Sequence, residues 1–291
     1  EWHPTKNGSL KPENVRHGSH KKVWWLCKFG HEWETPINMR SLRKTNCPYC
    51  SGHKVSEKNR LSTLYPEIAK EWIPAQRKLN LKHNNSTFFL KTHSAICNVE
   101  GSNFTDKENS LGAIYIVRDP RNVLNSMSRH FQLDNESALN MMIDKNNYTY
   151  DFKKKDDFSD YQFTSSWENN YKSWKDNQLI PVMFIKYEDL LKETFFVFKE
   201  IIEFINKLSN NKKGFNRDKA KNAVKSTSFE NLQKLEASKG FSESIISRED
   251  KKNIPFFHLG PKNDWKKNFD KKFIDKLNQI FEKNLIELNY E

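Results

Sequence analysis

At 291 residues the chain has room for one large domain, or for a large and a small one, and its 36% hydrophobic content with eight Trp can supply a core. Lys and Arg outnumber Asp and Glu by 49 to 37, and the net charge of +12 favours an anionic partner without choosing among nucleic acid, polyanion and nucleotide. No run of about 18 apolar residues occurs, which excludes a membrane-spanning helix.

The sequence opens Glu1-Trp2-His3-Pro4 with no methionine or apolar leader, and reads as a piece of a longer polypeptide rather than a secreted precursor. Three of the four cysteines fall between positions 27 and 50, which argues for a metal in a reducing compartment, the cytoplasm, rather than for disulfides. Cys27 and His31 form one close pair, and Cys47 and Cys50 a second. Two such pairs on tight turns close a tetrahedral Cys3His shell for a structural zinc, with Gly30 and Pro48 suited to the turns. All four positions are filled by protein, so the metal stabilises the fold rather than catalysing. Trp24, Trp25 and Trp33 read either as the core around the metal or as base-stacking surfaces.

Glu1-Trp2-His3-Pro4 is echoed by Glu71-Trp72-Ile73-Pro74, which suggests a second module that stops early. The domain boundary is therefore placed near Lys82 to Thr87, giving residues 1–83 and 84–291. From Glu1 to Gly52 the pattern resembles the treble-clef zinc-ribbon repeat, a resemblance that implies a binding role on nucleic acid.

Beyond the boundary, Thr87 to Leu90 reads as a short strand ending in Lys91-Thr92-His93, residues that taken alone are ordinary surface groups. Trp167, Tyr171 and Trp174 share one helix face by spacing, either for packing or for lining an acceptor pocket. Ala113 to Val117 is a β-branched and aromatic strand, and Asp119-Pro120 then starts a helix, with Asp as N-cap and Pro at the first helical position. Arg118 thus stands at a strand-to-helix turn with Ser126 further along the helix, where open α/β sheets receive anions. Arg118 either meets a phosphate there or pairs with a nearby carboxylate. Pro181 to Ile185 reads as another strand, and Phe195 to Leu208 as a core helix.

Taken in order, the segments containing Lys91-Thr92-His93, Arg118-Asp119-Pro120 with Ser126, Tyr187-Glu188-Asp189, Thr227-Ser228-Phe229 with Leu232, and His258-Leu259-Gly260 with Asp264-Trp265-Lys266 resemble the sulfotransferase family that uses 3′-phosphoadenosine 5′-phosphosulfate (PAPS). The resemblance implies an α/β fold, an incomplete P-loop-like parallel sheet flanked by helices, with the small zinc-ribbon domain at its N-terminal side. It implies an enzyme moving a sulfuryl group from PAPS as co-substrate to a hydroxyl or amine acceptor. His93 would be the general base and Lys91 would stabilise charge on the transferring group. Arg118 and Ser126 would hold the 3′-phosphate, Tyr187, Thr227, Phe229 and Leu232 the adenine, and His258, Leu259 and Gly260 a further phosphate contact.

Two departures weaken the pattern. His258, Leu259 and Asn263 replace the Arg, Lys and second Gly of the family's RKGxxGDWK segment, leaving backbone N–H groups beside Gly260 as donors. No PKSGTT-like phosphosulfate loop lies upstream of His93. The rival reading is a non-catalytic protein whose zinc module grips nucleic acid beside a degraded nucleotide-binding domain.

Overall fold

Residues 1–27, 32–41, 65–83, 86–149, 161–212, 214–247 and 249–290 are described by the computed structural model of the chain. Their contacts separate two units, Glu1–Lys70 with Tyr150–Tyr161, and Glu71–Thr149 with Gln162–Glu291.

In the first unit, β1 (Lys22–Leu26) turns Val23 and Trp25 inward by strand alternation and pairs antiparallel with β2 (Glu32–Pro36), placing Trp25 opposite Trp33. The short helix α1 (Ile37–Ser41) follows, and Val23, Trp25, Cys27, Trp33 and Ile37 form the core. Trp2 meets Trp25 edge-on at 5.6 Å. Trp25 and Trp33 are therefore core residues, and their faces are not open to bases. His3 is buried, accepts the amide hydrogens of Thr5 and Lys6 at Nδ1, and donates from Nε2 to Glu32 at 2.8 Å. The bonds from His3 and then Lys6 hold the Glu32 carboxyl at a pKa of about 2. Of the expected zinc ligands only Cys27 is described; His31, Cys47 and Cys50 lie outside the described residues.

The helix α2 (Tyr65–Lys82) contains the Glu71-Trp72-Ile73-Pro74 echo. The two tetrapeptides do not share a structure. Trp2 bridges to a strand, whereas Trp72 sits within a helix and packs edge-on against Phe104 at 5.2 Å. Four residues are too few to carry a fold, and their neighbours decide the conformation.

The second unit takes in α2 from Glu71, continues through a small hairpin, β3 (Asn98–Val99) and β4 (Ser102–Asn103), and then forms its main sheet. Two strands, β5 (Ala113–Val117) and β6 (Val182–Lys186), pair in parallel from Ala113 opposite Val182 to Val117 opposite Lys186. Between them come α3 (Pro120–Phe131), α4 (Asn135–Ile143) and α5 (Trp167–Lys175). After β6 the chain runs through α6 (Tyr187–Lys192), α7 (Thr194–Leu208), α8 (Arg217–Ser226) and α9 (Phe229–Lys239). A hairpin of β7 (Ile245–Ile246) and β8 (Asn253–Ile254) leads to α10 (Trp265–Asn268) and α11 (Lys271–Glu287). Leu124, Leu139, Met142, Tyr171 and Leu277 lie at the centre of the core.

Trp167, Tyr171 and Trp174 serve packing. Tyr171 is fully buried, Trp174 donates its indole N–H to the Ser94 carbonyl at 2.9 Å, and Trp167 meets Phe281 edge-on at 5.6 Å.

The expected strand at Thr87 to Leu90 does not form: the segment joins no sheet, and Phe89 and Leu90 are 69% and 65% exposed. Among the described residues no strand lies beside it to complete a ladder. Further on, the His93 amide donates to the Gln162 side chain at 2.5 Å and the Ala95 amide to the Phe163 carbonyl.

Candidate active site

The turn from β5 to α3 is fixed by its own residues. Asp119 caps α3 by accepting the Arg121 amide at 2.9 Å, and Pro120 occupies the first helical position. The buried Arg121 guanidinium pairs with Asp119 at 2.7 Å, donates to the Tyr290 carbonyl at 2.5 Å and to Asn278 at 2.9 Å, and lies over the Trp265 ring. Arg121 thus takes the carboxylate that Arg118 had been a candidate to pair with. A buried pair of this kind costs desolvation and is retained only where its remaining donors are satisfied, as they are here.

Arg118 is left with different work. Its Nη2 donates to the Gly260 carbonyl at 3.1 Å, its guanidinium lies 4.3 Å from the Tyr187 ring centre, and its buried Nε has no partner among the described residues. Among those residues no carboxylate pairs with it. A buried, unsatisfied cationic N–H is costly unless an anion meets it.

Gly260 opens a 3₁₀ turn to Lys262 and has φ +49°. A Cβ there would stand 2.2 Å from the Phe229 ring, so only glycine allows the turn to press against the start of α9. The amides of Lys262 and Asn263 close the turn on Leu259 and Gly260, so they are not free donors. Asn263 follows, buried, and binds three residues of α3: it donates to the Asn122 carbonyl at 2.9 Å and to Ser126 Oγ at 3.0 Å, and accepts from Asn125 at 2.6 Å. One turn therefore gathers Arg118, Ser126, Phe229 and, through Arg118, Tyr187.

The other nucleotide candidates surround this cluster less directly. The Thr227 hydroxyl is turned back onto the Ala223 carbonyl at 2.8 Å, ending α8. Leu232 lies half-buried on α9. Leu259 precedes the 3₁₀ turn, and the His258 carbonyl accepts from Gln233 at 3.2 Å. Desolvation, then the Arg129 charge, lowers the His258 pKa. Glu236 accepts the amides of Phe256 and Phe257 at 2.7 and 2.9 Å and the Ser244 hydroxyl. Burial pushes its carboxyl up, but these bonds outweigh burial and hold it below the usual range.

Lys91 and His93 sit on the segment that joins no sheet. Lys91 is ion-paired to Glu243 at 2.6 Å, and both are exposed. The His93 carbonyl accepts from Asn170 at 3.0 Å, and Asn170 in turn accepts from the Tyr115 hydroxyl of β5 at 2.8 Å. Desolvation, then the Lys91 charge, lowers the His93 pKa below its ordinary 6.5; Glu243 opposes them, and His130 in the last turn of α3 adds to them. The imidazole is accordingly neutral near pH 7 and able to accept a proton. Among the described residues no hydrogen bond or ion pair joins His93 to the Arg118 cluster.

A cavity of about 370 Å³ lies elsewhere, lined by Phe184, Lys186, Val197, Glu287 and Leu288 among others. None of the candidate residues borders it.

Asn263, Arg121 and Glu236 are contributors that motif reading passed over. Asn263 occupies the place of a motif glycine, and Glu236 falls on the face of α9 shared by Phe229, Leu232 and Gln233, a spacing at which an acid must find donors.

Comparison with known proteins settles the family: the model described as Sulfotransferase domain matches residues 38–289. The chain belongs to the sulfotransferase domain family. Residues 1–53 match a second model, Probable Treble clef zinc finger domain, which overlaps the first. Flavonol 4′-sulfotransferase of Flaveria chlorifolia is 29% identical over 130 residues, 43% of this chain and 38% of that protein. Flavonol 3-sulfotransferase of Flaveria bidentis is 28% identical over 121 residues, 41% of this chain. The chain thus spans 38% of the length of each of these two curated relatives. Mouse sulfotransferase SULT7A1 complexed with PAP aligns with a TM-score of 0.41 at 20% identity, covering 59% of this chain and 57% of that one. The sulfotransferase domain here is a mixed α/β fold whose parallel sheet, among the described residues, has two strands.

Proposed function

We propose that this chain is a PAPS-dependent sulfotransferase acting on a hydroxyl or amine acceptor. The observation that carries the reading is the gathering of Arg118 and Ser126 by one turn, with a buried guanidinium N–H left for an anion. The residues fit the nucleotide's 3′-phosphate: Arg118 and Ser126 would bind it, the Gly260 turn would bring backbone close to it, and Tyr187, Phe229, Leu232 and Thr227 would border the adenine. When bound, the co-substrate supplies the sulfuryl group. His93, neutral near pH 7, would take the proton from the acceptor hydroxyl, and Lys91 would balance negative charge at the transfer point once released from Glu243.

The phosphosulfate end is less complete. No PKSGTT-like segment occurs between Glu1 and His93, and turnover is expected to be slow unless another segment or chain supplies the phosphosulfate contacts. The N-terminal module fits a structural zinc by its donor set, Cys27, His31, Cys47 and Cys50, and thiolate ligands fit the reducing cytoplasm.

Titration calorimetry with 3′-phosphoadenosine 5′-phosphate tests the reading. The nucleotide should bind, and Arg118→Ala should weaken it about tenfold to a hundredfold, the worth of hydrogen bonds between charged groups. Absence of binding, or equal binding by Arg118→Ala, would overturn it.

A further inference from the structure

We infer that Asn263 is a positioning residue that presents the Ser126 hydroxyl as a hydrogen-bond donor to the nucleotide's 3′-phosphate, and so helps select it over a 3′-hydroxyl. The inference rests on the nucleotide reading above.

The Asn122 carbonyl can only accept, so the Asn263 atom 2.9 Å from it is the amide nitrogen. The second hydrogen of that nitrogen then points at Ser126 Oγ, 3.0 Å away, while the Asn263 carbonyl oxygen takes the Asn125 amide. Ser126 Oγ is therefore an acceptor in this bond, and its own hydrogen must be directed elsewhere.

A helical serine ordinarily returns that hydrogen to a carbonyl of the preceding turn. Ser128, Ser173, Ser226 and Ser238 all do so here. Ser126 does not. The carbonyl four residues back, that of Asn122, is occupied by Asn263, and the exposed hydroxyl has no acceptor among the described residues. A hydroxyl whose lone pair is engaged and whose proton is free is matched to a phosphate oxygen, which only accepts. A ribose hydroxyl, which also needs an acceptor, gains less. Two hydrogen bonds from one side chain thus set the polarity of a third group.

The test is the ratio of affinities for 3′-phosphoadenosine 5′-phosphate and adenosine 5′-phosphate, measured by calorimetry on the full chain. Asn263→Gly is expected to lower this ratio roughly two- to tenfold. In a Ser126→Ala background it should lower the ratio no further, because the effect runs through Ser126. Asn263→Asp, which keeps shape and acceptor but loses both donors, should lower it as well and serves if the glycine variant does not fold. A ratio unchanged in Asn263→Gly or Asn263→Asp while Ser126→Ala reduces it would overturn the inference, as would equal losses for both nucleotides. If Arg118→Ala and Ser126→Ala both leave the ratio at the wild-type value, the nucleotide reading itself fails.

Discussion

The two ends of the candidate site are built in opposite ways. Arg118 and Ser126 stand on a strand end and a capped helix, tied by Gly260 and Asn263 to a turn more than 130 residues distant in sequence. Lys91 and His93 stand on a segment without sheet partners, held by the side chains of Gln162 and Asn170 and by an exposed ion pair. The difference teaches that Arg118 and Ser126, the groups proposed to meet an anion, are held by the fold itself, whereas Lys91 and His93, proposed to handle charge and proton, are positioned by a few replaceable contacts.

The largest test separates the two ends. His93→Ala should reduce sulfuryl transfer by about 10²- to 10⁴-fold while leaving the affinity for 3′-phosphoadenosine 5′-phosphate unchanged, as read by turnover assays beside calorimetry. If affinity falls with activity, the ends are not independent and the comparison breaks.

A second, smaller effect belongs to the anion end. Gly260→Ala forces a Cβ against Phe229 and a left-handed backbone that costs about 1–2 kcal/mol for any other residue. Lower nucleotide affinity together with a lower melting temperature is expected. Wild-type affinity would show that the turn is not part of the grip.

The smallest effect sharpens the view of the proton end. If His93 is the base, as proposed, it works in its neutral form, and with its pKa lowered from 6.5 the rate should rise with pH through that pKa and level off above it. Removing a neighbouring positive charge with Lys91→Met should move the midpoint up, and removing a negative one with Glu243→Gln should move it down. Their opposite directions distinguish titration of His93 from titration of another group. The exposed Lys91–Glu243 pair itself should contribute under about 1 kcal/mol to stability by thermal denaturation.

The strand and helix that carry Arg118 and Ser126 were legible in the sequence because their signals are local. Ala113–Val117 forms the expected strand and Asp119 and Pro120 start the expected helix, while the helix expected at Phe195 to Leu208 forms as Thr194–Leu208 but buries only Val197 and is not part of the core. The strand expected at Pro181 to Ile185 appears one residue later, as Val182–Lys186, since Pro181 has no N–H for the ladder and lends only its carbonyl, to Ala113. What escaped was non-local. A strand is made by its partner, and Thr87–Leu90 has none among the described residues. The choice of Arg121 over Arg118 for Asp119, and the three bonds of Asn263 to α3, depend on residues brought together only by folding. The same limit explains the echo at Glu71–Pro74, in which four matching letters adopt a different conformation.

The bond from Arg121 to the Tyr290 carbonyl spans 169 residues and bears on the order of synthesis. At about 5–20 residues per second, a ribosome needs on the order of ten to thirty seconds after making this arginine before its acceptor exists. During that wait the guanidinium lacks one of its fixed partners, and the turn that presents Arg118 lacks a brace. The brace on that turn is therefore completed only once Tyr290 has been made, and a nascent chain halted before Tyr290 would hold β5 and α3 without it.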